Sequence, residues 1–105
     1  METRTALGAL AALAQETRLQ IFRALVRAGP RGLSAGALAE AVGTPASTLS
    51  FHVKELANAG LVAARQESRF IFYTAQYATM SGLVAFLTES CCQGIAARQK
   101  QRRAS

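Results

Sequence analysis

Cys91 and Cys92 are the only cysteines in the 105-residue chain, and they are adjacent. Thiolates are soft donors, so a neighbouring pair can grip a thiophilic ion or be oxidised. Consecutive Cα atoms lie about 3.8 Å apart across a trans peptide, below the roughly 4.4–6.8 Å of a relaxed disulfide. A bridge within the pair is strained, so a simple structural cross-link is not expected. The plainer alternative is packing, with Cys91 an apolar residue and Cys92 its bystander. Zinc wants about four N, O or S donors, and the chain offers two thiols and one distant histidine, His52.

A second group lies near the middle of the chain. Ser47, Thr48, Ser50, His52 and Lys54 crowd one segment, and Arg65 and Arg69 follow it. Hydroxyls, an imidazole and cations suit phosphate oxygens and base edges. Each also has a local reading. Hydroxyls near a helix start often cap it, His52 can tie its helix to a neighbour, and the two arginines can flank an ordinary solvated hairpin.

Periodicity and punctuation define the elements that must position these groups. Residues 5–14 (TALGALAALA) carry Ala and Leu at helical spacing. A second helix is expected over 15–28, with Leu19, Phe22, Leu25 and Val26 on one face and Arg18, Arg23 and Arg27 elsewhere. Gly29-Pro30 stops it. Ser34 reads as the N-cap of a short helix through about Ala41, with Leu38 and Val42 inward and Gly43 at its end. Thr44 as N-cap with Pro45 at the first helical position then opens a longer helix to Gly60, with Leu49, Val53 and Leu56 on one face. Phe51 falls off that stripe and is expected to pack under the following hairpin. Two helices joined by a short Gly-containing turn have helix-turn-helix spacing.

Residues 61–65 and 69–74 read as two strands around a Gln66-Glu67-Ser68 turn. A last helix is expected from about Thr79 to Gln93, with Met80, Leu83, Val84, Leu87 and Cys91 forming a seam. The fold class is therefore mainly α with a small β-hairpin, a winged helix-turn-helix expected to be dimeric. Residues 1–95 form one DNA-binding and dimerisation domain, and 96–105 a basic tail expected to be disordered.

Composition narrows the function. A chain this short buries a limited core, which makes a second copy a natural source of further burial. Lys and Arg number 12 against 6 acids, a net charge of +6 that favours a polyanionic partner. Arg98, Lys100, Arg102 and Arg103 carry four of those charges, so residues 1–97 hold eight against six, a net +2. The excess thus supports an anionic partner without locating its surface. With one His and no Asp, a multi-residue active site is not expected. No apolar run approaches the roughly 20 residues of a membrane span. The expectation is a cytoplasmic protein with reduced thiols and no membrane partner.

The order of elements resembles that of the ArsR/SmtB family of small bacterial repressors. The likeness is carried by ALAQETRLQIFRAL (12–25), STLSFHVKELANAGLV (47–62) and R-x-x-x-R-x-x-x-Y (65–73). It implies a homodimeric repressor that binds pseudo-palindromic double-stranded operator DNA and releases it when a ligand binds. DNA contacts then fall to Ser47, Thr48, Ser50, His52, Lys54, Arg65 and Arg69. A Cys-Cys pair at the end of the last helix, LTESCCQG here, resembles the subgroup that senses trivalent arsenic or antimony. The resemblance thus makes Cys91 and Cys92 the metalloid ligands, with a trivalent arsenical as inducer and no permanent cofactor.

Departures from the family pattern sharpen that expectation. The short helix SAGALAEAV has no Cys-x-Cys site, and the last helix has no His or Asp for interhelical zinc. Glu67-Ser68 stands at the hairpin tip where relatives often carry Gly. Arsenite normally takes three thiolates, yet Ala96, Ala97 and Arg98 occupy the tail positions that supply a third cysteine in relatives. Either a small thiol or water completes the site, or the ligand needs only two thiolates, as a monoalkylated arsenical does because one of its three bonds is already carbon. The alternatives are a redox or sulfur-species sensor on the same thiols and a ligand-free architectural DNA-binding module. An enzyme is the weakest reading, because no phosphate loop or acid/base partner accompanies the thiols.

Overall fold

The computed structural model describes residues 1–89, which form five α-helices, a single 3-10 turn at Gly29–Arg31 and three strands. In chain order the α-helices and strands are α1 (Thr3–Leu13), α2 (Glu16–Ala28), β1 (Leu33–Ser34), α3 (Ala35–Val42), α4 (Ala46–Asn58), β2 (Val62–Glu67), β3 (Phe70–Ala75) and α5 (Tyr77–Leu87). Cys91, Cys92 and the basic residues 98–103 lie outside the described residues, as does the division at residue 95.

Local chemistry explains the helix ends. The Gln15 side chain accepts a hydrogen bond from the Arg18 amide at 2.8 Å and caps α2. Glu16 in the first turn and Arg27 in the last suit the helix dipole. Ser34 Oγ accepts from the Ala37 amide at 3.2 Å, the capping role expected of it. Gly43 ends α3 in the left-handed region (φ 67°), where a side chain is disfavoured. The next amide, from Thr44, donates back to Ala39 O at 3.0 Å and completes that closure.

This bond overturns the expected start of α4. Thr44 is engaged in ending α3, so Pro45, at φ −58° and ψ 148°, becomes the N-cap and no side chain caps the helix. The Pro45 carbonyl accepts the first backbone bond, from Leu49 at 2.8 Å.

The three strands form one antiparallel sheet in the order β1-β3-β2. β1 is two residues long, pairing Leu33 with Tyr73 and Ser34 with Phe72, and was not expected from the sequence. Gly32 permits it: its φ is 72°, and a Cβ there would run into the Tyr73 carbonyl oxygen. β2 and β3 pair from Val62–Ala75 to Glu67–Phe70. The turn is therefore Ser68-Arg69, not Gln66-Glu67-Ser68, and Ser68 takes a positive φ of 60°.

The core joins α1, α2, α3, α4 and the base of the hairpin. Ile21, Leu25, Leu38, Leu49, Leu56 and Leu61 are its fully buried large side chains. On α2 the inward stripe is Ile21, Phe22 and Leu25, while Leu19 is exposed and Val26 half-buried. At about 100° per residue Leu19 lies roughly 120° from Leu25, but Arg18 lies only about 20° from it. Arg18 is thus on the inward side of α2, contrary to the expectation that all three arginines face away.

α5 starts two residues before its expected position and ends at Leu87. Thr88 is its C-cap, with the hydroxyl donating to Val84 O at 2.7 Å, so α5 does not run through Thr88 and Glu89 as expected; residues 90–93 of the expected helix lie outside the described residues. Leu83 is buried and Met80 half-buried, but Val84 and Leu87 are exposed.

Candidate nucleic-acid interface

α4 divides its side chains sharply. Leu49, His52, Val53 and Leu56 face inward, whereas Ser47, Thr48, Ser50, Phe51 and Lys54 are exposed. Four of the expected contact residues therefore share one outward surface. Ser50 Oγ donates to Ala46 O at 3.1 Å, a local bond that leaves its lone pairs available. With no side-chain cap, the first amides of α4 are unclaimed by side chains. Amides and helix dipole together favour an anion there.

His52 is not part of that surface. It is 9% exposed, and its Nδ1 accepts a hydrogen bond from Arg18 Nε at 3.3 Å. Of the two roles read for it, the structure places it as a tie between α4 and α2. Its burial and its bond to Arg18 support this local role over a DNA contact. Sequence reasoning missed Arg18 itself. The signal was its position, about two turns before Leu25 on the inward face.

Phe51 is also corrected, because it does not pack under the hairpin. It is 55% exposed. The Arg18 guanidinium carbon lies 5.8 Å from its ring centroid, and the His52 ring meets it edge-on at 5.5 Å.

The hairpin treats its two arginines differently. Arg65 pairs with Glu67 through Nε–Oε2 at 3.1 Å, donates Nη2 to Arg31 O at 3.4 Å, and stands 5.4 Å from the Phe72 ring centroid. Its charge is partly answered within the chain. Arg69 occupies the turn, exposed and with no salt bridge among the described residues. Glu67 thus restrains Arg65 rather than standing alone at the tip. Beside Arg69, Phe70 and Ile71 are exposed at the start of β3.

Among the described residues no three His, Cys, Asp or Glu side chains converge as a metal site. No described helix is long and apolar enough to cross a membrane.

A short helix, a Gly turn, a second helix with a polar outer face and a β-hairpin define a winged helix-turn-helix protein. A helix-turn-helix domain family matches residues 13–65. The chain is 34% identical over 84 residues to the transcriptional activator HlyU of Vibrio cholerae serotype O1, covering 80% of this chain and 75% of that protein. The structure of reduced HlyU superposes with a TM-score of 0.63 at 30% identity, covering 86% of this chain and 92% of that one. NolR from Sinorhizobium fredii gives a TM-score of 0.65 at 35% identity, with 84% and 85% covered. An ArsR-like transcriptional regulator from Rhodococcus sp. RHA1 gives 0.68 at 26% identity, with 96% and 88% covered. The chain belongs to the ArsR-type winged helix-turn-helix family of transcription regulators. Its relatives are regulators rather than enzymes, in agreement with the sequence reading.

Proposed function

We propose that this chain is a cytoplasmic, homodimeric repressor that holds pseudo-palindromic operator DNA and releases it when a trivalent arsenical, or antimonite, binds Cys91 and Cys92. The observation that carries the DNA-binding half is the outward face of α4, where Ser47, Thr48, Ser50 and Lys54 stand together at an uncapped helix start. Two such helices, set about one DNA turn (~34 Å) apart by a dimer, fit successive major grooves. Arg69 extends the surface onto the hairpin.

The sensing half rests on the adjacent thiols. Drawing the sulfurs of two adjacent residues onto one ion constrains the backbone that carries them. Such a constraint next to the dimer seam changes the spacing of the recognition helices, and release follows because the ligand prefers that state. Two thiolates without a third favour a monoalkylated trivalent arsenical over inorganic arsenite.

A redox-sensing repressor is the second reading. It is favoured by the existence of a structure described as reduced for HlyU, a protein similar to this one over most of its length. HlyU is itself described as an activator, so a promoter–reporter assay is the test of the sign of regulation.

The deciding experiment is release of fluorescent, binding-selected DNA by methylarsenite, arsenite, antimonite, zinc and peroxide in parallel. Methylarsenite is expected to release at lower concentration than arsenite. Cys91→Ser and Cys92→Ser are expected to bind DNA normally and not to release it. Arsenite acting at least as well overturns the organoarsenical assignment, and release by peroxide alone supports the redox reading. Loss of ligand-free DNA binding in either variant makes the pair structural.

A further inference from the structure

The outer face of α4 carries one large apolar side chain, Phe51, and it is 55% exposed among the described residues. Stepping about 100° per residue, Phe51 stands roughly 40° from Ser47 and roughly 60° from Lys54, and about 100° or more from every buried residue of the helix. It therefore sits among the residues that form the proposed DNA face, not at the margin of the core. Exposing a phenyl ring to water is unfavourable, so its placement here asks for a partner.

The ring is also held in place. Arg18 reaches from α2 to its face, with 5.8 Å between the guanidinium carbon and the centroid. His52 lies edge-on to it, with the ring planes at 63°. The Arg18 Nε–His52 Nδ1 hydrogen bond joins those two supports to each other. Phe51 is thus presented outward by a cluster anchored in the neighbouring helix, and less side-chain freedom is lost when it meets a partner.

The chemistry of the ring selects what it can read. A phenyl group offers no donor or strong acceptor, so phosphate oxygens and the polar edges of guanine, cytosine and adenine gain nothing from it. The thymine C5-methyl is the apolar feature of the major-groove edge. We propose that Phe51 reads a thymine C5-methyl group in each operator half-site, with Arg18 as its positioning residue. This rests on the DNA-binding reading above and assigns one base to that face.

The test uses the full chain and DNA sites selected by it from a random pool, with Kd measured by fluorescence anisotropy at one fixed salt concentration. Each thymine in turn is replaced, in both half-sites, by deoxyuridine, which differs only in lacking the methyl group. One position is expected to weaken binding about tenfold, the scale of two buried methyl groups. Phe51→Ala is expected to erase that difference, and Phe51→Gln to shift the selected base there towards adenine, which a side-chain amide can bind in bidentate fashion. Insensitivity of the wild type to every deoxyuridine, or an unchanged thymine preference in Phe51→Ala, overturns the inference while leaving operator binding intact. Failure of the wild type to select any sequence overturns the operator reading itself, and this assignment with it.

Discussion

α4 and the pair α1 and α5 sort their side chains differently. α4 buries Leu49, Val53 and Leu56 and turns hydroxyls and a lysine outward, with Phe51 as the single large apolar exception. α1 buries Ala6, Ala9 and Ala12 while Leu7 and Leu10 are exposed, and α5 buries Leu83 while Val84 and Leu87 are 56% and 58% exposed. A helix that buries its large residues and exposes small polar ones is complete within its own chain and open to a polar, charged partner. α1, which buries small residues and exposes large ones, and α5, which leaves two of its large residues exposed, still have apolar area to cover. Under the proposed function the two surfaces suit different partners, DNA at α4 and a second copy of the chain at α1 and α5.

The most severe way to break the contrast is to remove the core that supports both surfaces. Leu56→Ala, at a fully buried site, is expected to cost about 2–5 kcal/mol in denaturant unfolding. That is a large part of the roughly 5–15 kcal/mol of an ordinary domain. Breaking only the outer side is next. Val84→Glu combined with Leu87→Glu is expected to give a monomer by sedimentation with unchanged helical content. Operator affinity should fall on the order of 100-fold, because two linked half-site contacts become one. A variant that stays dimeric removes α5 from the seam.

Breaking only the α4 side is a smaller change. Arg18→Met leaves His52 Nδ1 buried without its donor and is expected to cost about 1–3 kcal/mol in thermal unfolding. DNA affinity should fall about tenfold with the dimer intact. The hairpin gives the finest comparison. Arg69→Ala is expected to reduce the slope of log affinity against log salt by about one per lost phosphate contact. Arg65→Ala should change it less, because Glu67 and the Arg31 carbonyl already engage that side chain. Equal slopes for the two variants contradict the division of roles at the wing.

What the sequence revealed followed from repeating patterns, and what it hid was set by contacts across elements. The Leu49–Val53–Leu56 stripe and the Ser34 cap were legible because each rests on local spacing. Val84 and Leu87 fell within the apolar pattern of α5 yet are exposed, because a local period does not say which face the rest of the chain covers. β1 was hidden because two residues have no period, and its cause is a close approach of Gly32 to a strand some forty residues on. The start of α4 was misread because Thr44-Pro45 is a sound local start signal, overridden by the bond from Thr44 back to Ala39. His52 and Phe51 are neighbours with opposite fates, one buried and one exposed, and the residue that explains both is Arg18 on another helix. The thiol pair was the plainest chemical signal in the chain and lies outside the described residues.

The central claim is that the uncapped start of α4 meets DNA, and Ser47→Glu tests it most directly. A carboxylate in the first turn suits the helix dipole, so the fold should be kept or slightly stabilised. The same charge opposes a phosphate at that surface. The melting temperature is expected to be unchanged, and operator affinity, measured by anisotropy on selected DNA, to fall at least about 100-fold. An unchanged Kd for Ser47→Glu, in a folded dimer, would contradict it.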